Sequence, residues 1–340
     1  MRLIAAAALV SASVVSTLNV APRASPVRMY DRYEAQVTNK PYAKAALPET
    51  AKKAGARWEV HKFGGASLAT AELYKQCSDL LIEQSRRNMG DKGVCAPTMA
   101  VVSAKGGVTD RLIKVVEASM TDMAESASLL RAITDEQVAV VNELAGADIA
   151  KEVEAKMRAD EEDILNVVRA VGLLRAIPPS TMELVTGYGE VWSAMTMHGY
   201  LRSTDVATAW LDARDVLVVE QVGFGLGDKG SSNVVGVDPL WDISAERVLN
   251  WFEDRPELLS PDCAESAPVV VITGFVAATL EGAPTTLKRS GSDYSVRASF
   301  QPHNSASFYP HHSIALINLF ASSPPPPYTV ATFHLHLPNA

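Results

Sequence analysis

The sequence predicts an α/β fold, a mainly parallel sheet sandwiched between helices, and two observations carry that expectation. Short apolar runs, Met99 to Val102, Val216 to Val219 and Val269 to Ile272, have the length and continuous hydrophobicity of strands buried on both faces. Between them lie longer segments whose apolar residues recur at helical spacing, and strands alternating with helices imply parallel pairing.

In chain order, residues 30–56 are polar and punctuated by Pro41, Pro48 and Gly55, so they read as a flexible lead-in to a domain starting near Arg57. A short apolar strand then runs into HKFGGAS, His61 to Ser67. A helix is expected from Gly65 to about Arg87, with Leu68, Leu73, Leu80, Leu81 and Ile82 at its apolar positions. The strand Met99 to Val102 overlaps VVSAKGGVTD, Val101 to Asp110, and a helix follows from Thr109. Residues 134–176 read as one long helical region, with Ile164, Val167, Val168, Val171 and Leu174 as its core-facing stripe and Pro178–Pro179 as its end. GEVWSAMTMHGYL forms a further helix, and the two remaining apolar runs supply buried parallel strands. No internal repeat is visible.

Composition excludes several function classes. With 340 residues, 47% apolar and 21% charged, the chain has the make-up of a globular protein of one large or two modest domains. A net charge of −8 and the lack of any Lys/Arg cluster with interleaved aromatics argue against nucleic acid as a partner. Cys77, Cys95 and Cys263 are odd in number, widely spaced and without a CxxC, which suits reduced thiols and not a metal site, with Cys77 in the core.

The first 29 residues differ in kind. Arg2 precedes an apolar run from Leu3 to Val15, and no acidic residue occurs before Asp31. That run is too short to span a bilayer but suits a signal-peptide core. Ser16 to Met29 carries Arg23, Arg28, hydroxyls and prolines, which is transit-peptide composition. A two-part presequence delivering the chain to a plastid is expected, with no membrane association in the mature form; a plain secretory signal is the alternative.

Three strand–turn–helix segments concentrate the chemistry. HKFGGAS and VVSAKGGVTD each place small residues where helix N-termini and loop amides meet anionic groups. TTLKRSGSDYS, Thr285 to Ser295, joins the basic pair Lys288–Arg289 to the turn Ser290–Gly291–Ser292 and the carboxylate Asp293. Such a turn suits an anion beside a bidentate guanidinium, or equally a plain turn with a solvated Arg. None is a P-loop or a dinucleotide fingerprint.

Together with GYGEVWSA (Gly187 to Ala194) and TGFVAAT, these segments resemble the N-terminal lobe of aspartate kinases, members of the amino-acid kinase superfamily. The plant-type bifunctional aspartate kinase–homoserine dehydrogenases are the most similar form, through GEVWSA, WLDARDVLVV (Trp210 to Val219), the Ser231 to Pro239 stretch and LKRSGSDYS. The resemblance runs from about Trp58 to Ser295. It implies a three-layer αβα sandwich, the amino-acid kinase fold, of which 57–297 would be the N-terminal lobe only.

The resemblance implies an ATP- and Mg²⁺-dependent transfer of the γ-phosphoryl group to the side-chain carboxylate of aspartate, the entry to lysine, threonine and methionine synthesis. The nucleophile is already an anion, so catalysis would be positioning plus positive charge. Lys62, with Gly64 and Gly65, matches the phosphate-binding turn and its catalytic lysine. Asp293 matches the aspartate that orients the catalytic lysines. Arg289 matches the residue gripping the substrate α-carboxylate, and Glu190 the one receiving its α-ammonium. Ser103, Thr109, Phe275 and Ser292 match further substrate-pocket positions, and Thr109 could also cap its helix. Ala66 replaces a usual Thr, Lys105 a small or apolar residue, and Ser290 a Gly or Asp.

After Arg297 no Asp, Glu, Lys or Arg occurs, while SSPPPP and five of the seven histidines do. Residues 298–340 are therefore expected to be a disordered tail unrelated to the domain, standing where the family has its nucleotide lobe. The chain alone is expected to show little kinase activity, and the full-length form to be a homo-oligomer. An inert lobe that pairs with a complete subunit, or another amino-acid kinase such as one for glutamate, are the alternatives.

Overall fold

The computed structural model describes residues 59–87, 97–222, 236–259, 266–287 and 330–334, all within one unit spanning Tyr42–Ala340. Four parallel strands form the central sheet: β1 (Glu59–Phe63), β2 (Thr98–Val102), β3 (Thr208–Leu211) and β6 (Val269–Thr273). Their order is β3–β6–β2–β1, and β9 (Val330–His334) adds an antiparallel edge beside β1.

Side-chain alternation sends the two faces of this sheet to different partners. Phe63, Ala100, Val102, Val269 and Val271 pack against Tyr74 and Leu81 of α1 (Ala71–Arg87) and Ala194 and Met197 of α5 (Pro179–Leu201). Val60, Met99, Val101, Val270 and Ile272 face the other way, onto Val248, Trp251 and Phe252 of α7 (Trp241–Glu253). The result is a three-layer αβα sandwich. Three more helices, α2 (Val108–Ala118), α3 (Met123–Leu144) and α4 (Ala147–Leu174), pack around the outer side of α5 through Leu112, Leu130, Ile133, Met157, Ile164, Val168 and Trp192.

Two small hairpins and one short helix complete the described chain. α6 (Ala213–Val216) leads to β4 (Val219–Val222), which pairs antiparallel with β5 (Gly236–Pro239); β7 (Val276–Ala278) pairs antiparallel with β8 (Pro284–Thr286).

Several boundaries differ from expectation, each for a local reason. The helix expected from Gly65 begins with a separate 3-10 turn, Gly65–Leu68, and α1 starts only at Ala71. The helical region expected over 134–176 is two antiparallel-type pieces broken at Ala145–Gly146, where Ala145 is extended and the Gly146 N–H binds Ser203 Oγ at 2.9 Å. α3 starts earlier, because Asp122 caps the N–H groups of Ala124 and Glu125. Pro178 and Pro179 do not end α4, which stops at Arg175 in a left-handed conformation; they start α5 instead, where a missing N–H costs nothing. Leu174 is 69% exposed, whereas Ile164, Val168 and Val171 of the expected stripe are buried. The run Val216 to Val219 is not a parallel core strand: it is split between the end of α6 and an antiparallel hairpin strand. Residues 330–334, within the segment read as an unrelated tail, form β9.

Candidate active site

The register of the sheet aligns three chain turns. Val102 is the ladder partner of both Phe63 and Thr273, so the C-terminal ends of β1, β2 and β6 lie level. The turns that follow, at 64–68, 103–107 and 274–275, therefore open on one edge of the sheet, where parallel α/β folds bind ligands. The ladder continues into them: Ser103 N–H donates to Phe63 O at 3.0 Å, and Gly274 N–H to Val102 O at 2.9 Å.

Close packing of backbone makes this edge a site. A Cβ on Gly65 would lie 2.9 Å from Ala104 O, so the first turn can press on the second only without a side chain. A Cβ on Gly189 would lie 3.1 Å from Val108 Cγ1 and 3.2 Å from Ala104 Cβ, so α5 runs directly beneath the second turn. One residue further along α5, Glu190 receives the Ala104 N–H on its carboxylate.

Glu190 is 6% exposed, and its Oε2 has no hydrogen-bond partner among the described residues. Burial pushes its pKa up to about 8, opposed by the Ala104 N–H and by the charge of Lys62 on β1. Behind it the fully buried Tyr74 of α1 shares a 2.7 Å hydrogen bond with Ser193, and its phenol is held above the ordinary range by burial, with Glu190 adding to the effect. A buried carboxylate oxygen without a donor invites a cationic or hydrogen-bonding group from a ligand.

The remaining expected residues fall as follows. Lys62 lies near the end of β1, Gly64, Gly65 and Ser103 lie on the first two turns, and all four are half-buried. Thr109 is half-buried in the first turn of α2 but does not cap it: the cap position is Gly107, with φ 79°. Phe275 forms the third turn with φ 63°, a conformation that costs a non-glycine residue about 1–2 kcal/mol. Its carbonyl accepts the Leu287 N–H at 2.8 Å, which brings the chain just before Lys288 to the same edge. Thr285 Oγ1, in β8, donates to Glu183 Oε2 of α5 at 2.5 Å and ties that hairpin to the helix. Arg289, Ser292 and Asp293 lie outside the described residues.

Two contributors were not foreseen. The Ala104 backbone donor has no side-chain signature. The other is Lys105, noted only as an unusual residue for its position: it is 6% exposed and its Nζ lies 3.1 Å from Glu136 Oε1.

Tyr188 and Trp192 of the GYGEVWSA segment lie on the side of α5 away from Glu190, where they meet Arg214 of WLDARD and Asp160 of α4. Trp192 Nε1 donates to Asp160 Oδ2 at 2.9 Å, and Asp160 is raised to about 6 by burial. Arg214 chelates Asp212 and lies 5.8 Å over the Tyr188 ring. This joint fixes the roll of α5, and so the direction in which Glu190 points.

The parallel sheet and its helical layers agree with the sequence relationships. Residues 57–298 match the Amino acid kinase family, and the chain belongs to that family. It is 30% identical over 243 residues to the chloroplastic bifunctional aspartokinase/homoserine dehydrogenase 1 of Zea mays, covering 71% of this chain and 23% of that protein. It is 26% identical over 235 residues to the lysine-sensitive aspartokinase 3 of Escherichia coli, covering 69% and 44%. Among solved structures, E. coli aspartokinase III with aspartate and ADP shares the fold, with a TM-score of 0.54, 24% identity and coverage of 71% of this chain and 45% of that one. The chain thus spans about a quarter of the length of the plant bifunctional relatives.

Proposed function

We propose that this chain carries the amino-acid-binding lobe of an aspartate kinase. Its reaction would be phosphoryl transfer from ATP to the side-chain carboxylate of aspartate. The observation that carries the reading is the Glu190 carboxylate, buried at the sheet edge where the three turns meet, with one oxygen that has no partner among the described residues. A substrate α-ammonium group would supply the missing donor and the compensating charge. The relatives' names support aspartate as that substrate, and the ADP complex of the E. coli enzyme supports ATP as the donor.

In this mechanism Lys62 neutralises charge on the transferring phosphoryl group, with the Gly64–Gly65 turn giving it backbone donors. Arg289 holds the α-carboxylate, Asp293 orients the lysine, and Ser103, Thr109, Phe275 and Ser292 shape the pocket. Mg²⁺ enters with the triphosphate as part of the co-substrate. No general base is needed, since the attacking oxygen is already ionised. The chloroplastic relatives and the acid-free N-terminal segment support a plastid location, and a homo-oligomer remains our expectation for the full-length form.

Titration calorimetry of the purified chain with aspartate, glutamate and succinate tests the substrate. Aspartate should bind, and succinate, which lacks the ammonium group, should bind at least tenfold more weakly. Equal affinity for the two would overturn the role of Glu190. The role of Lys62 is tested in a chimera joining 57–297 to a related nucleotide-binding lobe, with acyl phosphate trapped as hydroxamate. Lys62→Ala should lower kcat by about 10²–10³ with little change in the aspartate KM, as expected for a preorganised charge stabiliser. A rise in KM alone would assign Lys62 to substrate binding.

A further inference from the structure

Lys105 is a buried lysine in a glycine-rich turn, and its surroundings explain why it is tolerated. Its ammonium group meets Glu136 of α3 at 3.1 Å, and Arg111 of α2 binds the other oxygen of the same carboxylate. Arg111 foremost, and Lys105 with it, hold Glu136 below the usual carboxylate range. The Lys105 carbonyl in turn accepts the Val108 N–H at 3.0 Å, which opens α2. One residue before Lys105 stands Ala104, whose N–H reaches Glu190.

The turn at 103–107 is thus gripped from two sides. Gly65 presses on the Ala104 carbonyl from the first turn. The Lys105–Glu136–Arg111 group pulls from the helical layer. Lys105 does not act on Glu190 through its own charge. Among the described residues, the charged and titratable groups felt at Glu190 are Lys62 from β1 and Tyr74 from α1.

We propose that Lys105 is a positioning residue: its ion pair with Glu136, shared with Arg111, tethers the 103–107 turn so that the Ala104 N–H stays on the Glu190 carboxylate. This deepens the proposed function, because it rests on Glu190 as the subsite for a substrate ammonium group. It predicts that cutting the tether from either end has the same consequence at Glu190.

The test reads Glu190 directly, without ligand, in the full chain. Protein carrying ¹³C-labelled glutamate side chains is titrated by NMR, and Glu190→Gln assigns the signal. Lys105→Met removes the charge but keeps the length, and Glu136→Gln leaves Lys105 charged but without its ion-pair partner. Both variants should raise the Glu190 midpoint by half a unit or more, since a donor to the ionised form is loosened. Lys105→Arg should restore it.

A direct charge effect would move the two variants in opposite directions, because one removes a cation and the other an anion. That outcome, or an unmoved midpoint in both, overturns the proposal. If Lys105→Met fails to fold, Glu136→Gln alone decides: a raised midpoint supports the tether and a lowered or unchanged one rejects it. Aspartate affinity is measured alongside. A chain that binds no aspartate yet shows both midpoint shifts would reject the substrate assignment and keep the tether.

Discussion

At the scale of single residues, Glu190 sets its proposed role in substrate binding against stability. Its carboxyl group is buried, with one oxygen unpartnered among the described residues and a pKa of about 8, against an ordinary value of 4.5. A raised folded-state pKa means that the native state holds a proton which the unfolded chain has lost. The associated stability is complete below pH 4.5 and drains away as pH rises through 8. Glu190→Gln removes this dependence. Its melting temperature should exceed that of the parent by about 3 °C or more at pH 8, on the scale where 1 kcal/mol corresponds to about 2–4 °C. The difference should close as pH falls towards 5. Scanning calorimetry across pH 5–9 checks this, and a gap that widened in acid would mean that Glu190 is ionised in the native state. Glu190 was legible from its motif in the sequence; its unpartnered oxygen was not, because burial and partner geometry depend on residues far away in the chain.

At the scale of elements, the site is an arrangement of backbone close to backbone, and glycine marks the contacts. α5 lies under the 103–108 segment with no room for a side chain at Gly189. Gly189→Ala would add a Cβ about 0.5 Å inside ordinary contact distance, by comparison with the about 3.5–4.0 Å optimum for carbon pairs. It should push α5 away from Ala104, destabilise the chain by about 1–3 kcal/mol and weaken aspartate binding at least tenfold. Urea unfolding and calorimetry measure the two effects. Unchanged aspartate affinity would show that the distance between α5 and the turn does not matter to the site. The same scale explains where periodicity misled. Ile164 and Val168 pack with α5 and Val171 is buried, but Leu174 falls on the last turn of α4 and is exposed. Helical spacing says which residues share a face and not how far the neighbouring helix extends.

At the scale of the whole molecule, the three-layer sandwich follows from strands that are apolar on both faces, which require cover on each side. Its functional edge follows from parallel pairing, which collects the turns after β1, β2 and β6 at one end. Delivery of the chain belongs to this scale too. Mass spectrometry of the native protein should find an N-terminus between about Ala21 and Lys53, after passage through the import machinery that recognises acid-free, Arg-bearing leaders. Recovery of intact Met1 in the mature protein would rule that out. The sequence by itself determined the fold class, the strands β2 and β6, the core position of Cys77 and the family motifs. These depend on local hydrophobic pattern and on residue types at short spacing. The tertiary structure alone decided that Pro178–Pro179 begin a helix, that Val216 to Val219 leaves the main sheet, and that Arg214 of WLDARD lies over Tyr188. It also decided that a lysine could be buried beside the site. Each of these turns on a partner distant in sequence, and the free energy of burial, pairing or clash exists only once that partner is in contact.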